Sequence, residues 1–109
     1  MVVVMLEEVE ALKNLDDILE TKHVDVFFVA PGDLAQSMGH PGQMDHPAVQ
    51  AAIDDAVKRI HGAGRAPGVL STPATVRRYL DLGALFLYVS LGAVLGPGTK
   101  DFLGAFPRS

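Results

Sequence analysis

The chain is short, weakly acidic and free of cysteine. It has 109 residues, of which 49% are hydrophobic and 20% charged, and its formal net charge is −4. This profile is typical of a globular domain and excludes a disordered chain. The absence of cysteine excludes disulfides, thiolate metal sites and cysteine nucleophiles. The basic residues form no block, which argues against nucleic-acid binding.

The apolar segments of the sequence do not indicate a membrane protein. Each is far shorter than the roughly 20 residues that a membrane-spanning helix needs. The N-terminal segment has no basic flank and is followed at once by Glu7 and Glu8, so it does not resemble a signal peptide. We therefore expect a cytoplasmic protein.

Four short apolar runs predict four strands. They cover residues 2–6, 24–30, 68–70 and 85–89. A helix is predicted after the first run, where apolar residues of segment 11–19 recur every three or four positions. Further helices are predicted to begin at Pro47 and at segment 71–73, the latter running to about residue 82. Because Pro97 lies between two glycines, only a short final helix is expected in the tail.

The order of strands and helices predicts an α/β fold. Strands that are apolar on both faces are typical of a parallel sheet covered by helices. No linker divides the chain, so residues 1–109 are expected to form one domain. Four strand–helix units are half of a (β/α)8 barrel, which needs roughly 250 residues. We therefore expect a half-barrel, either a fragment or a small protein that pairs with another copy; a complete open sheet is the alternative.

Two acidic residues follow consecutive predicted strands. Functional groups of parallel α/β folds gather at the carboxyl ends of the strands, where Glu7, Asp33, Ser71 and Ser90 are placed here. Neighbouring strands lie roughly 5 Å apart, so Glu7 and Asp33 are expected to meet. Two carboxylates without a histidine pair favour Mg²⁺ or Mn²⁺, an ion that can bind a 2-oxo acid and stabilise its enolate. In the alternative interpretation Glu7 caps a helix and Asp33 caps a turn.

The chain after the second predicted strand offers further candidates. Gly32 can bring its backbone close to a ligand, and a helical turn after it would direct N–H groups at a substrate carboxylate, although a Pro-Gly pair also makes a simple turn. His40 and His46 flank a Gly- and Pro-rich loop and are interpreted as loop or cap residues. Ser71 and Ser90 lack the small-residue elbow of a nucleophile.

Most of the chain resembles the 4-hydroxy-2-oxoheptanedioate aldolase family, the class II pyruvate aldolases of the phosphoenolpyruvate/pyruvate-binding barrels. The resemblance lies in segments 4–8, 14–18, 25–34, 37–39, 46–49 and 64–68. It implies strands 5–8 of a TIM barrel, with Glu7 and Asp33 binding Mg²⁺, Mn²⁺ or Co²⁺. It also implies that the backbone amides of Gly32 and Asp33 hold the carboxylate of pyruvate and that Leu70 lines the site.

The implied activity is the reversible cleavage of a 4-hydroxy-2-oxo acid into pyruvate and an aldehyde, in aromatic compound catabolism, by a homo-oligomer. The family's proton-transferring histidine and substrate-binding arginine belong to the first half of the barrel, which this sequence lacks. Segment 89–92 departs from the family's usual strand-eight ending. Two alternatives remain: a citrate lyase-type enzyme acting on a coenzyme A thioester, and a non-catalytic half-barrel that serves as an oligomerisation or binding module.

Overall fold

The computed structural model describes residues 1–106 and contains one parallel sheet. Its four strands are β1 (Val3–Leu6), β2 (Val26–Val29), β3 (Pro67–Leu70) and β4 (Phe86–Tyr88). The helices are α1 (Val9–Lys13), α2 (Leu15–Leu19), α3 (Pro31–Ser37), α4 (Pro47–Gly62), α5 (Val76–Asp81) and α6 (Leu91–Gly104). The predicted α/β class, the four strands and their parallel direction are confirmed.

The strands are arranged in chain order, β1-β2-β3-β4. Leu6 at the end of β1 is in register with Val29 at the end of β2. The backbone N–H of Ala30 donates to the carbonyl of Leu6 over 3.1 Å, so the pairing continues to the end of both strands. The segments that leave β1 and β2 therefore start side by side at the carboxyl edge of the sheet.

The core lies between the sheet and α4. Phe27, Val29 and Val69 are fully buried on one face of the sheet. The helix contributes an apolar stripe at spacings of three and four residues, as predicted, formed by Val49, Ile53, Ala56, Val57 and Ile60. Burial of such apolar area is the main stabilising contribution in a domain of this size.

The opposite face of the sheet is apolar but much more open. Side chains alternate between the two faces of a strand, so Met5, Phe28 and Tyr88 point away from α4. Met5 is 56% exposed and Tyr88 53% exposed, whereas Phe28 is half-buried. Phe28 and Phe86 meet edge to face with their ring centroids 6.2 Å apart. A Cβ on Gly68 would lie 2.9 Å from the Phe28 ring, so the glycine makes room for this aromatic pair.

The first helical segment is divided, whereas the sequence predicted one helix. Its two parts, α1 and α2, meet at Asn14, whose φ of −95° and ψ of 17° are not helical. The side-chain amide of Asn14 donates to the carbonyl of Glu10 over 3.0 Å. Asparagine side chains that bond to nearby backbone groups in this way compete with the helical ladder, which explains the break.

The prediction of only a short final helix is wrong. Helix α6 has 14 residues and continues through Pro97. Ser90 begins it, because its Oγ accepts a hydrogen bond from the N–H of Ala93 over 3.2 Å. A proline inside a helix removes one hydrogen bond and bends the helix but need not end it. Within residues 1–106, no helix is both long enough and apolar enough to cross a membrane.

Arg65 connects the loop before β2 to the segment that leads into β3. Its guanidinium donates to the carbonyls of Leu19, Thr21 and Val24 over 2.6, 3.0 and 2.9 Å. It also lies over the ring of Phe27, 4.7 Å from the ring centroid. The planar guanidinium serves all four contacts at once, which a lysine ammonium cannot do.

We expect Arg65→Ala to lower the free energy of unfolding by about 2–3 kcal/mol, because three carbonyls lose a charged donor. Urea denaturation followed by circular dichroism measures this loss. Arg77→Ala is the matched control, since Arg77 forms an exposed pair with Asp81 and such pairs contribute about 0.5 kcal/mol or less. Equal losses in the two variants would show that the Arg65 contacts are not stabilising.

Candidate metal and substrate site

Glu7 and Asp33 line the same cleft at the carboxyl edge of the sheet. The cleft has a volume of about 410 Å³, and its lining is completed by Glu8, Gln36 and Ser37. Glu7 directly follows the last residue of β1, and Asp33 lies in the first turn of α3. The two carboxylates that the sequence predicts to meet therefore share one cavity.

Local sequence explains how Asp33 reaches this cleft. Pro31 is the first residue of α3, a position where its fixed φ is suitable and its missing N–H is not needed. Leu34 and Ala35 are fully buried and hold the next part of the helix against the core. Asp33 is exposed, so its side chain remains available at the edge of the sheet.

Neither carboxylate is engaged by the protein in the part of the chain that the structure describes. Within residues 1–106, Glu7 and Asp33 take part in no side-chain hydrogen bond and no salt bridge. Helix α1 is preceded by Glu8, which makes no side-chain cap bond, and α3 is preceded by Ala30. The capping roles considered for Glu7 and Asp33 are thus not observed, and both groups are free to bind a ligand.

The donor set fits a hard divalent cation with few protein ligands. Among residues 1–106, no group of three or more His, Asp or Glu side chains is arranged to hold a metal ion. Mg²⁺ is commonly bound by one or two carboxylates and retains several waters, some of which a substrate can replace. Glu7 and Asp33 fit this mode of binding, in which water and substrate oxygens complete the coordination.

The expected substrate-binding residues are distributed along the same edge. The N–H of Leu34 donates to the carbonyl of Ala30 over 3.0 Å, so the amides of Gly32 and Asp33 precede the first bond of this helical ladder. A Cβ on Gly32 would come no closer than 3.8 Å to the sulfur of Met44, which leaves open space beside the backbone. Leu70 ends β3 and is half-buried. Gly32 and Leu70 do not line the cleft itself.

The other candidates have structural contacts. The rings of His40 and His46 stack with centroids 3.7 Å apart, and His46 Nδ1 accepts from the N–H of Ala48 over 3.2 Å. His46 thus caps α4, as predicted. Ser71 is buried and its hydroxyl donates to the carbonyl of Tyr88 over 3.3 Å, whereas Ser90 caps α6.

Three residues of the cleft were not predicted from the sequence: Glu8, Gln36 and Ser37. Gln36 and Ser37 lie three and four positions after Asp33, which places all three on one side of α3. That spacing was the available signal, but it is informative only if segment 31–37 is helical. The Pro-Gly pair there also predicts a simple turn, and the polar residues from 36 onward predict a loop.

Comparison with known proteins identifies the class to which this fold and cleft belong. Residues 1–94 match the family model described as HpcH/HpaI aldolase/citrate lyase. The chain therefore belongs to the HpcH/HpaI aldolase/citrate lyase family, and the predicted resemblance is confirmed.

Individual relatives agree with this assignment. A 4-hydroxy-2-oxo-heptane-1,7-dioate aldolase from Klebsiella pneumoniae is 50% identical over 95 residues, which are 86% of this chain and 36% of the relative. A hydroxypyruvate/pyruvate aldolase from Pseudomonas aeruginosa is 47% identical over 105 residues, which are 94% of this chain and 39% of the relative. The chain thus spans well under half the length of these relatives.

A solved structure shares the fold. The crystal structure of a family member from Burkholderia cenocepacia superimposes with a TM-score of 0.83 at 31% identity, and the match covers 94% of this chain and 40% of that one. The strand–helix arrangement described above is therefore that of a part of a known family member.

Proposed function

We propose that this chain is the metal- and 2-oxo-acid-binding half of a class II pyruvate aldolase, equivalent to strands 5–8 of a TIM barrel. The observation that carries the proposal is the pair of unengaged carboxylates, Glu7 and Asp33, in one cleft at the carboxyl ends of parallel strands. The open apolar face with Met5 and Phe28 would then belong to the interior of the closed barrel. The aldolase names of the two relatives described above support the same chemistry.

In this proposal each group has a defined task. Glu7 and Asp33 supply oxygen ligands to Mg²⁺, Mn²⁺ or Co²⁺, which when bound would offset the negative charge that develops on the keto oxygen of pyruvate. The amides of Gly32 and Asp33 orient the substrate carboxylate, and Leu70 provides an apolar wall. Together they bind and orient the small 2-oxo acid whose C–C bond is made or cleaved.

The complete reaction needs groups from outside this chain. In the part of the chain that the structure describes, no histidine or arginine lines the cleft, whereas the proposed reaction needs a proton-transferring group. We propose that these groups come from the other half of the barrel and that the complete enzyme is a homo-oligomer. Residues 1–109 alone would then bind the substrate better than they convert it.

A citrate lyase-type activity on a coenzyme A thioester is the second candidate, since the family description includes it. Such a substrate carries several phosphates, which proteins usually bind with Arg and Lys side chains. Among residues 1–106, three carboxylates line the cleft and no basic side chain does. This charge favours a small acid bound through a cation over a nucleotide thioester.

A non-catalytic module is the third interpretation and predicts no selective binding.

Metal-dependent binding of pyruvate tests the proposal. In isothermal titration calorimetry we expect pyruvate to bind in the presence of Mg²⁺ and binding to be lost with EDTA. Lactate is the matched control, because its hydroxyl replaces the keto oxygen; we expect a preference for pyruvate of about tenfold, or about 1.4 kcal/mol. Binding that is indifferent to EDTA would refute the proposal, and tighter binding of acetyl coenzyme A would favour the thioester alternative.

A further inference from the structure

Ser37, which lines the cleft, makes a contact between two helices. Its Oγ accepts a hydrogen bond from the backbone N–H of Val9 over 3.0 Å, although the two residues are 28 positions apart. Ser37 is the last residue of α3, and Val9 is the first residue of α1. One hydroxyl therefore connects the two helices that follow β1 and β2.

The contact satisfies a donor that α1 itself leaves unpaired. The first N–H groups of a helix have no partner within that helix and normally require a side-chain cap. Glu8 occupies the cap position of α1 but makes no side-chain cap bond. Ser37 supplies the cap from another helix, so the start of α1 is fixed by α3 and not by its own sequence.

Both ends of this hydrogen bond lie next to a proposed metal ligand. Glu7 is two positions before Val9, and Asp33 is one helical turn before Ser37. Ser37 also lines the cleft with both carboxylates. The bond thus links the segment that carries Glu7 to the helix that carries Asp33, beside the cleft that both side chains line.

We infer that Ser37 is a positioning residue that holds Glu7 and Asp33 at the separation a divalent cation needs. The inference rests on the proposed function, because it concerns the same site. Two free carboxylates repel each other, and a connection between the segments beyond the paired strand ends opposes this repulsion when no cation is bound. Groups that orient metal ligands from outside the coordination sphere typically change the affinity 10- to 100-fold.

The test compares Mn²⁺ affinity, measured by electron paramagnetic resonance of free Mn²⁺, in three variants of the full chain. We expect Ser37→Ala to raise the Kd about tenfold, and Ser37→Thr, which keeps the hydroxyl, to restore most of the affinity. Ser90→Ala is the matched control, since it removes a serine cap from α6, outside the cleft; its Kd should equal that of the wild type. Thermal unfolding by circular dichroism is recorded for each variant.

The outcomes separate this inference from the proposed function. If the wild type binds no Mn²⁺, the proposed site itself fails. If the wild type binds Mn²⁺ and Ser37→Ala binds it equally well, only the positioning role is refuted. A loss of affinity that Ser37→Thr fails to reverse, or that Ser90→Ala reproduces, would also refute it, because the effect would then come from general destabilisation.

Discussion

We expect Glu7→Gln and Asp33→Asn each to weaken Mn²⁺ binding on the order of 100-fold or more. This exceeds the 10- to 100-fold loss of affinity that is typical when a group that only orients a metal ligand is removed. Each substitution keeps the size of the side chain and replaces a charged oxygen ligand by a neutral amide. In the proposed site Glu7 and Asp33 are the two protein ligands, so the loss of either would remove half of the protein's contribution. Electron paramagnetic resonance of free Mn²⁺ during a titration gives the Kd of each variant directly.

The same two substitutions should leave the metal-free protein as stable as before. In residues 1–106 neither carboxylate has a hydrogen-bond or ion-pair partner, so no stabilising contact is lost. Removing one of two neighbouring negative charges relieves their repulsion, and the midpoint of urea denaturation without metal should stay the same or rise slightly. Loss of metal affinity without loss of stability would assign the effect to ligation and not to folding.

Glu10→Gln is the matched control for this experiment. Glu10 lies on α1 and forms an exposed pair with Lys13, with its Oε2 3.3 Å from the lysine Nζ, and it does not line the cleft. The change in charge is the same as in Glu7→Gln, so a general effect of net charge on Mn²⁺ attraction would appear in both variants. If the wild type, the two cleft variants and this control bound Mn²⁺ alike, the assignment of the site would be wrong.

The placement of Glu7 and Asp33 at one cleft was predictable because it depends on a general property of parallel sheets. Apolar runs that end in a turn signal locate the strand ends, and parallel pairing brings consecutive ends to the same edge. The pairing of Leu6 with Val29 follows from the positions of the two strand ends, whatever sequence lies between them. Pairs of side chains at neighbouring strand ends are therefore the part of a site that sequence reasoning finds best.

The contact of Ser37 with Val9 was not predictable for the opposite reason. It joins two helix ends that are 28 residues apart, and its geometry depends on the length and tilt of both helices. Similarly, the break at Asn14 and the continuation of α6 through Pro97 depend on local side-chain bonds and on the balance of one lost hydrogen bond. Such balances of about 1 kcal/mol are decided by three-dimensional context and not by propensity.

Adjacent phenylalanines on β2 provide the second large expected effect. Phe27 is fully buried against the helix side of the sheet, whereas Phe28 is half-buried on the open face. We expect Phe27→Ala to lower the free energy of unfolding by about 3–5 kcal/mol, because a cavity replaces a ring in the packed core. That is a large fraction of the roughly 5–15 kcal/mol that stabilises a small domain, so the variant is expected to unfold at a clearly lower temperature than the wild type.

Phe28→Ala is both the control and the test of the half-barrel proposal. In the isolated chain Phe28→Ala should lower the free energy of unfolding by about 1–2 kcal/mol. The ring is already partly exposed to solvent, so its removal mainly loses the edge-to-face packing with Phe86. In a preparation reconstituted with the first half of a homologous barrel, the open face would be covered and the cost should approach that of Phe27→Ala. Urea denaturation of both variants, alone and reconstituted, measures the four values. If Phe28→Ala lowers the free energy of unfolding by the same amount before and after reconstitution, that face is not the interior of a barrel.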